Sequence, residues 1–337
     1  MSTETSQPTG DPSFEHRAKG SWWPCLDSQS MCPAKVLITG ASGFVGRHLT
    51  EHLEAAGDEV VGIDRVPEGI DITDADQIRQ VIADVAPRAI YHLAGWADVG
   101  GSWKAPVEAF RVNAEGTLNV LSAAAEVGVE RVLAVSSADV YGKVDPSELP
   151  LTEDSPLRPA SPYAASKVAA DYLGLQAWLG NGLPVLRVRA FNHLGPGQTD
   201  KFVAPAIASR IARAELGGGS DVLPIGDLSA RRDFTDVRDV VRAYRLLMER
   251  GEPGQVYNVC SGVDLAVQDL ADQMLAQARI PLRFETDPEL LRPVEVPVLR
   301  GSYQRLHEAT GWEPEIPISQ TLTDLLEDWR ARVAATV

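Results

Sequence analysis

The chain has 337 residues, of which 44% are hydrophobic and 23% charged, and its formal net charge is −16. This composition is typical of a globular protein with one large domain or two coupled ones. No apolar run approaches the roughly 18 residues that cross a bilayer, and the excess of acidic residues disfavours nucleic-acid partners, since binding to phosphates needs basic charge. Any anionic ligand must therefore be held by a local group of arginines.

The N-terminal segment and the cysteines indicate where the chain works. Residues 1–33 are rich in Ser, Thr, Pro and Gly without periodicity, which predicts a disordered leader. They lack the basic, apolar and small-residue segments of a secretory signal. Cys25, Cys32 and Cys260 show no C-x-x-C spacing, so neither a disulfide framework nor a zinc knuckle is expected. We expect a soluble, cytoplasmic protein.

A glycine-rich turn follows the first predicted strand. The apolar residues 36–39 lead into Gly40-Ala41-Ser42-Gly43-Phe44-Val45-Gly46 and a helical segment that runs through residue 56. In such a turn the glycines allow a tight bend and a close approach to a pyrophosphate, which the helix N-terminus binds. A second strand, residues 59–63, ends at Asp64, where a carboxylate meets the adenosine ribose. The pattern predicts a dinucleotide site. Asp64 favours NAD, whereas Arg65 could accommodate the 2′-phosphate of NADP.

Two residue pairs near this segment admit two interpretations each. Asp71 and Ile72 can edge the adenine, with Asp71 accepting from the exocyclic amine, or Asp71 can cap a helix that begins near Asp74. His48 and His52 lie four apart and could share a metal, but no third ligand is evident, so we favour a solvated pair. We predict no metal site.

Helices and strands then alternate along the chain. Helices are expected over residues 75–85 and 107–127, and strands over 89–93 and 131–135. This alternation predicts βαβ units and an α/β fold with a Rossmann doubly wound parallel sheet. In such sheets ligands lie outside the carboxyl ends of the strands. Candidate residues occupy four of these ends: Gly40, Asp64, Leu93-Ala94-Gly95 and Ser136-Ser137. We therefore expect one site at this edge.

A helix start in the middle of the chain carries two further candidates. Ser161 can cap free N–H groups, and Pro162 fits the first helical position. Tyr163 and Lys167 lie four apart, so they share one helical face. We expect the ammonium to lower the pKa of the phenol from about 10 towards a value useful for proton transfer. The spacing alone arises by chance in many helices, so this interpretation depends on the strand ends.

The chain resembles the extended short-chain dehydrogenases/reductases, the nucleotide-sugar epimerases, dehydratases and reductases, from residue 35 to residue 329. The resemblance rests on the glycine turn, His92-Leu93-Ala94-Gly95, Ser136-Ser137-Ala138-Asp139-Val140-Tyr141-Gly142, Tyr163-Ala164-Ala165-Ser166-Lys167 and the segment 231–239. It implies that Ser137 and Tyr163 hold and protonate the reacting oxygen, while Lys167 holds the nicotinamide ribose. Asn113 completes the expected cofactor-binding set.

Three further segments, residues 191–198, 257–262 and 291–301, resemble the branch that acts on GDP-mannose derivatives. They are most similar to GDP-4-dehydro-6-deoxy-mannose reductases and next to GDP-mannose 4,6-dehydratases. The resemblance implies a GDP-linked sugar substrate held by Asn192, Arg231 and Arg292. We expect Arg232 and Arg238 to pair with neighbouring acids instead.

The residues after Ser137 favour a reductase over a dehydratase. A dehydratase must remove the C5 proton and expel the C6 hydroxyl, and dehydratases place the acid and base for this directly after the catalytic Ser or Thr. Here these positions are Ala138 and Asp139. We therefore expect hydride transfer from NADH or NADPH to a 4-keto group. Dehydration and 4-epimerisation remain alternatives. A non-catalytic dinucleotide sensor is disfavoured because Tyr163 and Lys167 are both present.

The resemblance also bears on domains and assembly. We expect residues 34–191 and 234–260 to form the dinucleotide-binding domain, and 192–233 and 261–334 a smaller C-terminal substrate-binding domain. Members of the family commonly form homodimers through the helix near 107–127 and the tyrosine helix. The apolar side chains Leu118, Val120, Leu121 and Val127 permit such a homodimer.

Overall fold

Strands and helices alternate as the sequence predicts. The computed structural model describes residues 34–217, 220–290 and 296–336, so the predicted leader lies outside the described residues. The strands are β1 (Lys35–Thr39), β2 (Glu59–Ile63), β3 (Ala89–His92), β4 (Arg131–Ser137), β5 (Val185–Ala190), β6 (Asn192–Leu194), β7 (Val222–Ile225), β8 (Arg231–Asp236), β9 (Val256–Val259), β10 (Asp264–Ala266), β11 (Arg283–Thr286) and β12 (Val298–Leu299). The helices are α1 (Phe44–Ala55), α2 (Ala75–Val85), α3 (Val99–Ser102), α4 (Pro106–Phe110), α5 (Gly116–Val127), α6 (Pro162–Asn181), α7 (Val203–Glu215), α8 (Val237–Arg250), α9 (Val267–Leu275), α10 (Gln304–Thr310) and α11 (Ile318–Ala334).

Six parallel strands form the main sheet, in the order β2-β1-β3-β4-β5-β9. Strands β3, β5 and β9 are buried along their whole length. Burial of whole strands is typical of a parallel sheet covered by helices on both faces. The Rossmann fold predicted from the sequence is confirmed, and the strand order reverses direction beside β1 and β3, where ligands bind in such sheets.

A smaller layer follows the main sheet. Strand β8 pairs with β6 and β12 in parallel and with β10 antiparallel, while β7 pairs with β11. Helices α7, α9 and α11 pack together beside these strands around an apolar cluster that includes Ile211, Leu270 and Leu325. This cluster is separate from the one that fills the main sheet around Ile90 and Val132. The assignment of these segments to a substrate-binding domain stays a prediction, and β8 runs across its expected boundary at residue 233.

Two boundaries differ from the sequence-based expectation. The helix expected over 107–127 consists of α4 and α5 joined by one π-helical turn, Arg111–Glu115. Strand β4 continues two residues further than expected, because its pairing with β5 extends to Ser137, which lies opposite Ala190. Ser137 is therefore the last residue of a strand rather than part of a loop. In the described chain no helix has both the length and the apolar character needed to cross a membrane.

Candidate active site

The turn between β1 and α1 has the geometry of a phosphate cradle. A Cβ placed on Gly46 would clash with the carbonyl oxygen of Gly40, and one on Gly43 would lie 3.1 Å from the same oxygen. Gly40 has a φ of +76°, and its Cα packs against the backbone of Ala94. Glycine is therefore required for the bend and for the close contact with the end of β3. Gly43 is the N-cap of α1, and no side chain of the described residues caps the helix there.

The carboxylate at the end of β2 lies beside the same turn. Ser42 Oγ donates to Asp64 Oδ2 at 2.6 Å, and the Arg65 N–H donates to Asp64 Oδ1 at 2.7 Å. These bonds fix Asp64 at the edge of the glycine turn. Together with the N–H groups at the start of α1, which begins with Phe44 and Val45, this arrangement fits the ribose and pyrophosphate of a dinucleotide.

Asp71 is engaged in a local turn. Its Oδ1 accepts from the Thr73 N–H at 2.9 Å and from Thr73 Oγ1 at 2.8 Å, and these bonds lower the pKa of the carboxyl. The helix cap that was its alternative role belongs to Asp74, which accepts from the Gln77 N–H. Ile72 is buried. The contact of this pair with adenine stays a prediction.

The two histidines of α1 have separate surroundings. His48 Nε2 lies 2.8 Å from the carbonyl oxygen of Pro196. His52 faces Arg242 and Arg245, and burial together with these two charges lowers its pKa. Among the described residues, no group of His, Cys, Asp and Glu side chains is placed to hold a metal ion.

Helix α6 begins as the sequence predicts. Ser161 is the N-cap and its Oγ accepts from the Ala164 N–H at 3.1 Å, while Pro162 occupies the first helical position. The Tyr163 N–H has no partner within the helix and donates to Ser102 Oγ at 3.2 Å. Ser102, on α3, was missed because this short helix lies in a stretch without clear periodicity.

The pKa of Tyr163 is raised, so the expected net fall in this pKa is wrong. Burial raises the pKa of the phenol, the negative charge of Asp139 raises it further, and a hydrogen bond with Ser137 offsets only part of this. Lys167 instead directs its Nζ to the Val135 carbonyl oxygen, 3.0 Å away, and burial lowers its own pKa to about 8. The phenol therefore keeps its proton at neutral pH, as a proton donor must.

Lys167 and the end of β3 meet at Gly95. A Cβ on Gly95 would lie 3.2 Å from Lys167 Nζ and 2.8 Å from Asn113 Oδ1. The Asn113 amide is used within the protein, because its Nδ2 donates to Ser166 Oγ at 2.9 Å and its Oδ1 accepts from the Trp96 N–H at 2.8 Å. Asn113 thus fixes the Gly95-Trp96 loop to α6, and its contact with the cofactor stays a prediction.

Asp139 lies inside the catalytic cluster. Its N–H donates to Ser137 Oγ at 3.1 Å, and Ser137 Oγ lies 3.3 Å from Asp139 Oδ2. Burial raises the pKa of the carboxyl, and the charge of Arg232 and the bond with Ser137 lower it in part. Ala138 is 2% exposed and belongs to an apolar cluster with Val140.

The arginines differ from the expectation at one position. Arg231 Nε donates to Asp264 Oδ2 at 2.5 Å. Arg232, expected to pair with a neighbouring acid, instead donates to the Arg231 carbonyl oxygen at 2.8 Å, and the charge that acts on it is that of Asp139 in the catalytic cluster. The reason is strand geometry, because adjacent residues of β8 point to opposite faces. Arg238 does pair with acids, namely Asp236 and Asp324, each at 2.7 Å.

Two predicted substrate residues, Asn192 and Arg292, have no described contact with the catalytic cluster. Asn192 is exposed at the start of β6, opposite Phe234 of β8. Arg292 lies outside the described residues. The structure thus brings together the glycine turn, Asp64, the end of β3 and the Ser137–Tyr163–Lys167 group at the carboxyl edge of the sheet.

The chain is similar to proteins of known family. The model of the NAD dependent epimerase/dehydratase family matches residues 36–260. A Pseudomonas aeruginosa GDP-6-deoxy-D-mannose reductase is 41% identical over 300 residues, which cover 89% of this chain and 98% of that protein. A UDP-glucose 4-epimerase from Mycolicibacterium smegmatis is 32% identical and covers 88% of this chain and 98% of that protein.

A solved structure is similar along the same length. It is described as RMD from Pseudomonas aeruginosa complexed with NADPH, and it is 41% identical with a TM-score of 0.82. The match covers 88% of this chain and 99% of that one. Both the sheet and the smaller layer therefore have counterparts in proteins of known structure.

Proposed function

Because the chain belongs to the NAD dependent epimerase/dehydratase family, we propose that it reduces the 4-keto group of a GDP-linked 6-deoxy sugar. The 41% identity to a GDP-6-deoxy-D-mannose reductase, over 98% of that relative, supports this substrate class. The observation that separates reduction from dehydration is Ala138. A methyl group, buried in an apolar cluster, follows Ser137 where a dehydratase needs an acid to expel the C6 hydroxyl.

The side chains around Tyr163 suit proton donation to a ketone. Tyr163 holds its proton because burial and the charge of Asp139 raise its pKa, so it can give this proton to the oxygen on the sugar C4. Ser137, hydrogen-bonded to the phenol, positions that oxygen. Bound NADH or NADPH supplies the hydride. Lys167, one helical turn from Tyr163, offsets the negative charge that develops on the phenol as its proton leaves.

The glycine turn and Asp64 provide the cofactor site in this proposal. The first N–H groups of α1 bind the pyrophosphate, and Asp64 accepts from the ribose hydroxyls. A carboxylate at this position favours NADH, while Arg65, the next residue, can accompany a 2′-phosphate. An assay of the activity therefore uses both NADH and NADPH.

We place the sugar diphosphate at Arg232. The sequence-based candidate Arg231 is bonded to Asp264, so we propose that Arg232, on the opposite face of β8 and under the charge of Asp139, takes this role instead. Asn192 and Arg292 remain proposed contacts on the strength of the resemblance alone.

Absorbance of the reduced cofactor tests the proposal. The protein is mixed with NADH or NADPH and the GDP-linked 4-keto-6-deoxy sugar, and we expect the absorbance to fall in proportion to the sugar added. Unchanged absorbance with both cofactors would contradict the proposed activity.

Dehydration is the second candidate, and one observation favours it. Asp139 carries a carboxyl next to Ser137 and Tyr163, which is the neighbourhood in which a dehydratase needs a base. Incubation with GDP-mannose and catalytic NAD or NADP decides this, since a dehydratase forms keto sugar without net cofactor consumption. Supplying UDP-glucose and searching for UDP-galactose tests 4-epimerisation in the same way.

We also propose a homodimer. Helix α6 exposes Tyr172 by 55% and Leu179 by 73%, and α4 exposes Val107 by 72%. Of the side chains expected to mediate the contact, Leu118 and Val127 are exposed, but Val120 and Leu121 are buried in the core of the same chain. The exposed apolar side chains of α4, α5 and α6 would be covered by the same helices of a second copy.

A further inference from the structure

The turn that follows β6, residues 195–198, is packed inside the protein although it belongs to no helix or strand. Gly195 and Gln198 are buried, and Pro196 and Gly197 are half-buried. Backbone groups that are removed from water need hydrogen-bond partners, and a turn outside helices and sheets must find most of them on other elements. Side chains of two helices supply these partners to residues 195–198, which we call the β6 turn.

Helix α1 holds the β6 turn on the side of the main sheet. His48 Nε2 donates to the Pro196 carbonyl oxygen at 2.8 Å, because a carbonyl can only accept. Arg47 Nη2 donates to the Gly197 carbonyl oxygen at 3.1 Å. Two consecutive carbonyl groups of the turn are thus bonded to two consecutive residues of the helix.

Helix α11 holds the same turn on the side of the smaller layer. Asp328 Oδ2 accepts from the Gly197 N–H at 2.9 Å, and Arg332 Nη1 donates to the Gln198 carbonyl oxygen at 3.0 Å. Arg332 and Asp328 also pair with each other at 3.2 Å. The β6 turn therefore connects α1, which begins at the proposed cofactor site, with the smaller layer.

The β6 turn continues directly from the strand that carries Asn192. Strand β6 pairs with β8 from Asn192, which lies opposite Phe234, to Leu194, which lies opposite Asp236. Arg232, to which we assign the sugar diphosphate, lies two residues before Phe234 on β8. A displacement of the turn would therefore displace both proposed contacts of the GDP-sugar relative to α1.

Of the two sides of this connection, α1 is the more firmly fixed. Its Leu49 and Leu53 side chains are fully buried. At its first residue, the ring centroid of Phe44 lies 5.5 Å from that of His48 and 6.2 Å from that of His193. If the bond from His48 is lost, a half-buried carbonyl group must find another donor, and we expect the turn to move while α1 stays in place.

We propose, on the basis of the function proposed above, that His48 positions the GDP-sugar relative to the cofactor by holding the β6 turn on α1. The cofactor pyrophosphate binds at the first turn of this helix, and the sugar diphosphate binds beyond β6. The single bond from His48 to Pro196 fixes the distance between these two sites. Because it acts through the β6 turn, His48 is a positioning residue rather than a catalytic one.

The variant His48→Leu tests this inference through two measurements. Steady-state assays give kcat and the two KM values, and calorimetry gives the Kd of GDP for the full chain. We expect the KM for the GDP-linked keto sugar and the Kd of GDP to rise by about fivefold or more, because the donor to Pro196 is removed. The KM for the reduced cofactor and kcat should stay within about twofold of the wild-type values, since α1 and the groups around Tyr163 keep their places.

The variant His48→Gln restores the interaction, because the glutamine amide can place a donor near the position of Nε2. We expect its constants to lie within about twofold of the wild-type values. The matched control is His52→Leu, which removes a histidine one turn along the same helix that faces Arg242 and Arg245 instead of the turn. We expect this control to keep the KM for the sugar and the Kd of GDP.

Three results would overturn the inference. One is an unchanged Kd of GDP in His48→Leu, and another is an equal rise in His48→Gln or His52→Leu. The third is a rise of the cofactor KM together with the sugar KM, which would mean that α1 itself has moved. If the wild-type protein neither binds GDP nor consumes reduced cofactor with the keto sugar, the proposed function fails and the inference falls with it. An active wild-type protein with an unaffected His48→Leu variant refutes the inference alone.

Discussion

Arg231 and Arg232 are adjacent, yet β8 directs them to opposite faces. Arg231 is bound by Asp264, and Arg232 is under the charge of Asp139. We expect Arg232→Gln to raise KM for the GDP-sugar by about tenfold or more, since a hydrogen bond to a charged phosphate contributes about 1.5–3 kcal/mol. Arg231→Gln is the control and should change KM by less than about twofold. Steady-state assays of both variants measure this KM. Equal changes in the two variants would contradict the assignment of the diphosphate to Arg232.

Lys167 gives the proposed activity a dependence on pH. Burial lowers its pKa to about 8, so the ammonium is present below this pH and is lost as the pH rises through it. Because the ammonium offsets the charge that forms on Tyr163, we expect kcat/KM for the keto sugar to decline above about pH 8. In Lys167→Arg the decline should move to much higher pH, whatever its absolute rate, because a guanidinium stays charged. A decline at an unchanged pH in this variant would assign it to another group.

For single residues, the sequence predicted positions in the fold better than it predicted the electrostatic surroundings of the side chains. The motifs placed Ser137, Tyr163 and Lys167 correctly on a strand end and one helical face, because strand ends and the spacing of four are local properties. The pKa direction of Tyr163 was wrong, because burial and the charge of Asp139 come from tertiary packing. The surroundings of Arg232 were not predicted for a related reason, since the charge that acts on it, Asp139, lies on a turn distant in the sequence.

The helix that carries the catalytic pair is anchored to the sheet by one buried acid. Asp171 of α6 binds Arg187 at 2.6 Å and Arg189 at 2.9 Å, both on β5. Its side chain is fully buried, so Asp171→Asn leaves two buried guanidinium groups without a charge partner. We expect the free energy of unfolding, measured by urea denaturation, to fall by about 3–5 kcal/mol.

Asp76→Asn is the control for this prediction. Asp76 pairs with Arg79 on the surface of α2, where its side chain is 89% exposed, so the change should be about 0.5 kcal/mol or less. Similar values for the two variants would contradict the anchoring role of Asp171. The sequence predicted the start of α6 from Ser161 and Pro162, but it gave no sign of this anchor, since the two arginines belong to a separate strand.

For the whole molecule, the fold class was predictable from the sequence, but the strand order was not. Alternating periodicity was enough for the parallel sheet, because each βαβ unit is local. The order of the strands and the pairing of β6, β10 and β12 around β8 depend on contacts between distant segments. The division into two domains stays a prediction, supported by the two separate apolar clusters. The cytoplasmic location also stays a prediction.

The proposed homodimer has a direct test. Light scattering should give the wild-type protein twice the mass of one chain, since the exposed side chains of α4, α5 and α6 are covered by a second copy. Leu179→Glu places a charge on this face and should yield a monomer. Leu216→Glu, at another exposed leucine after α7, should remain a dimer. A monomeric wild-type protein would contradict the proposal.

The central claim is that hydride passes to C4 of the sugar while Tyr163 supplies the proton. Reduced cofactor deuterated at the transferred position, incubated with the protein and the GDP-linked 4-keto-6-deoxy sugar, tests it by NMR of the product. We predict a 6-deoxy sugar with a hydroxyl and deuterium on C4, formed at least about a hundredfold more slowly by Tyr163→Phe. Product without deuterium, or with deuterium on any other carbon, would contradict it.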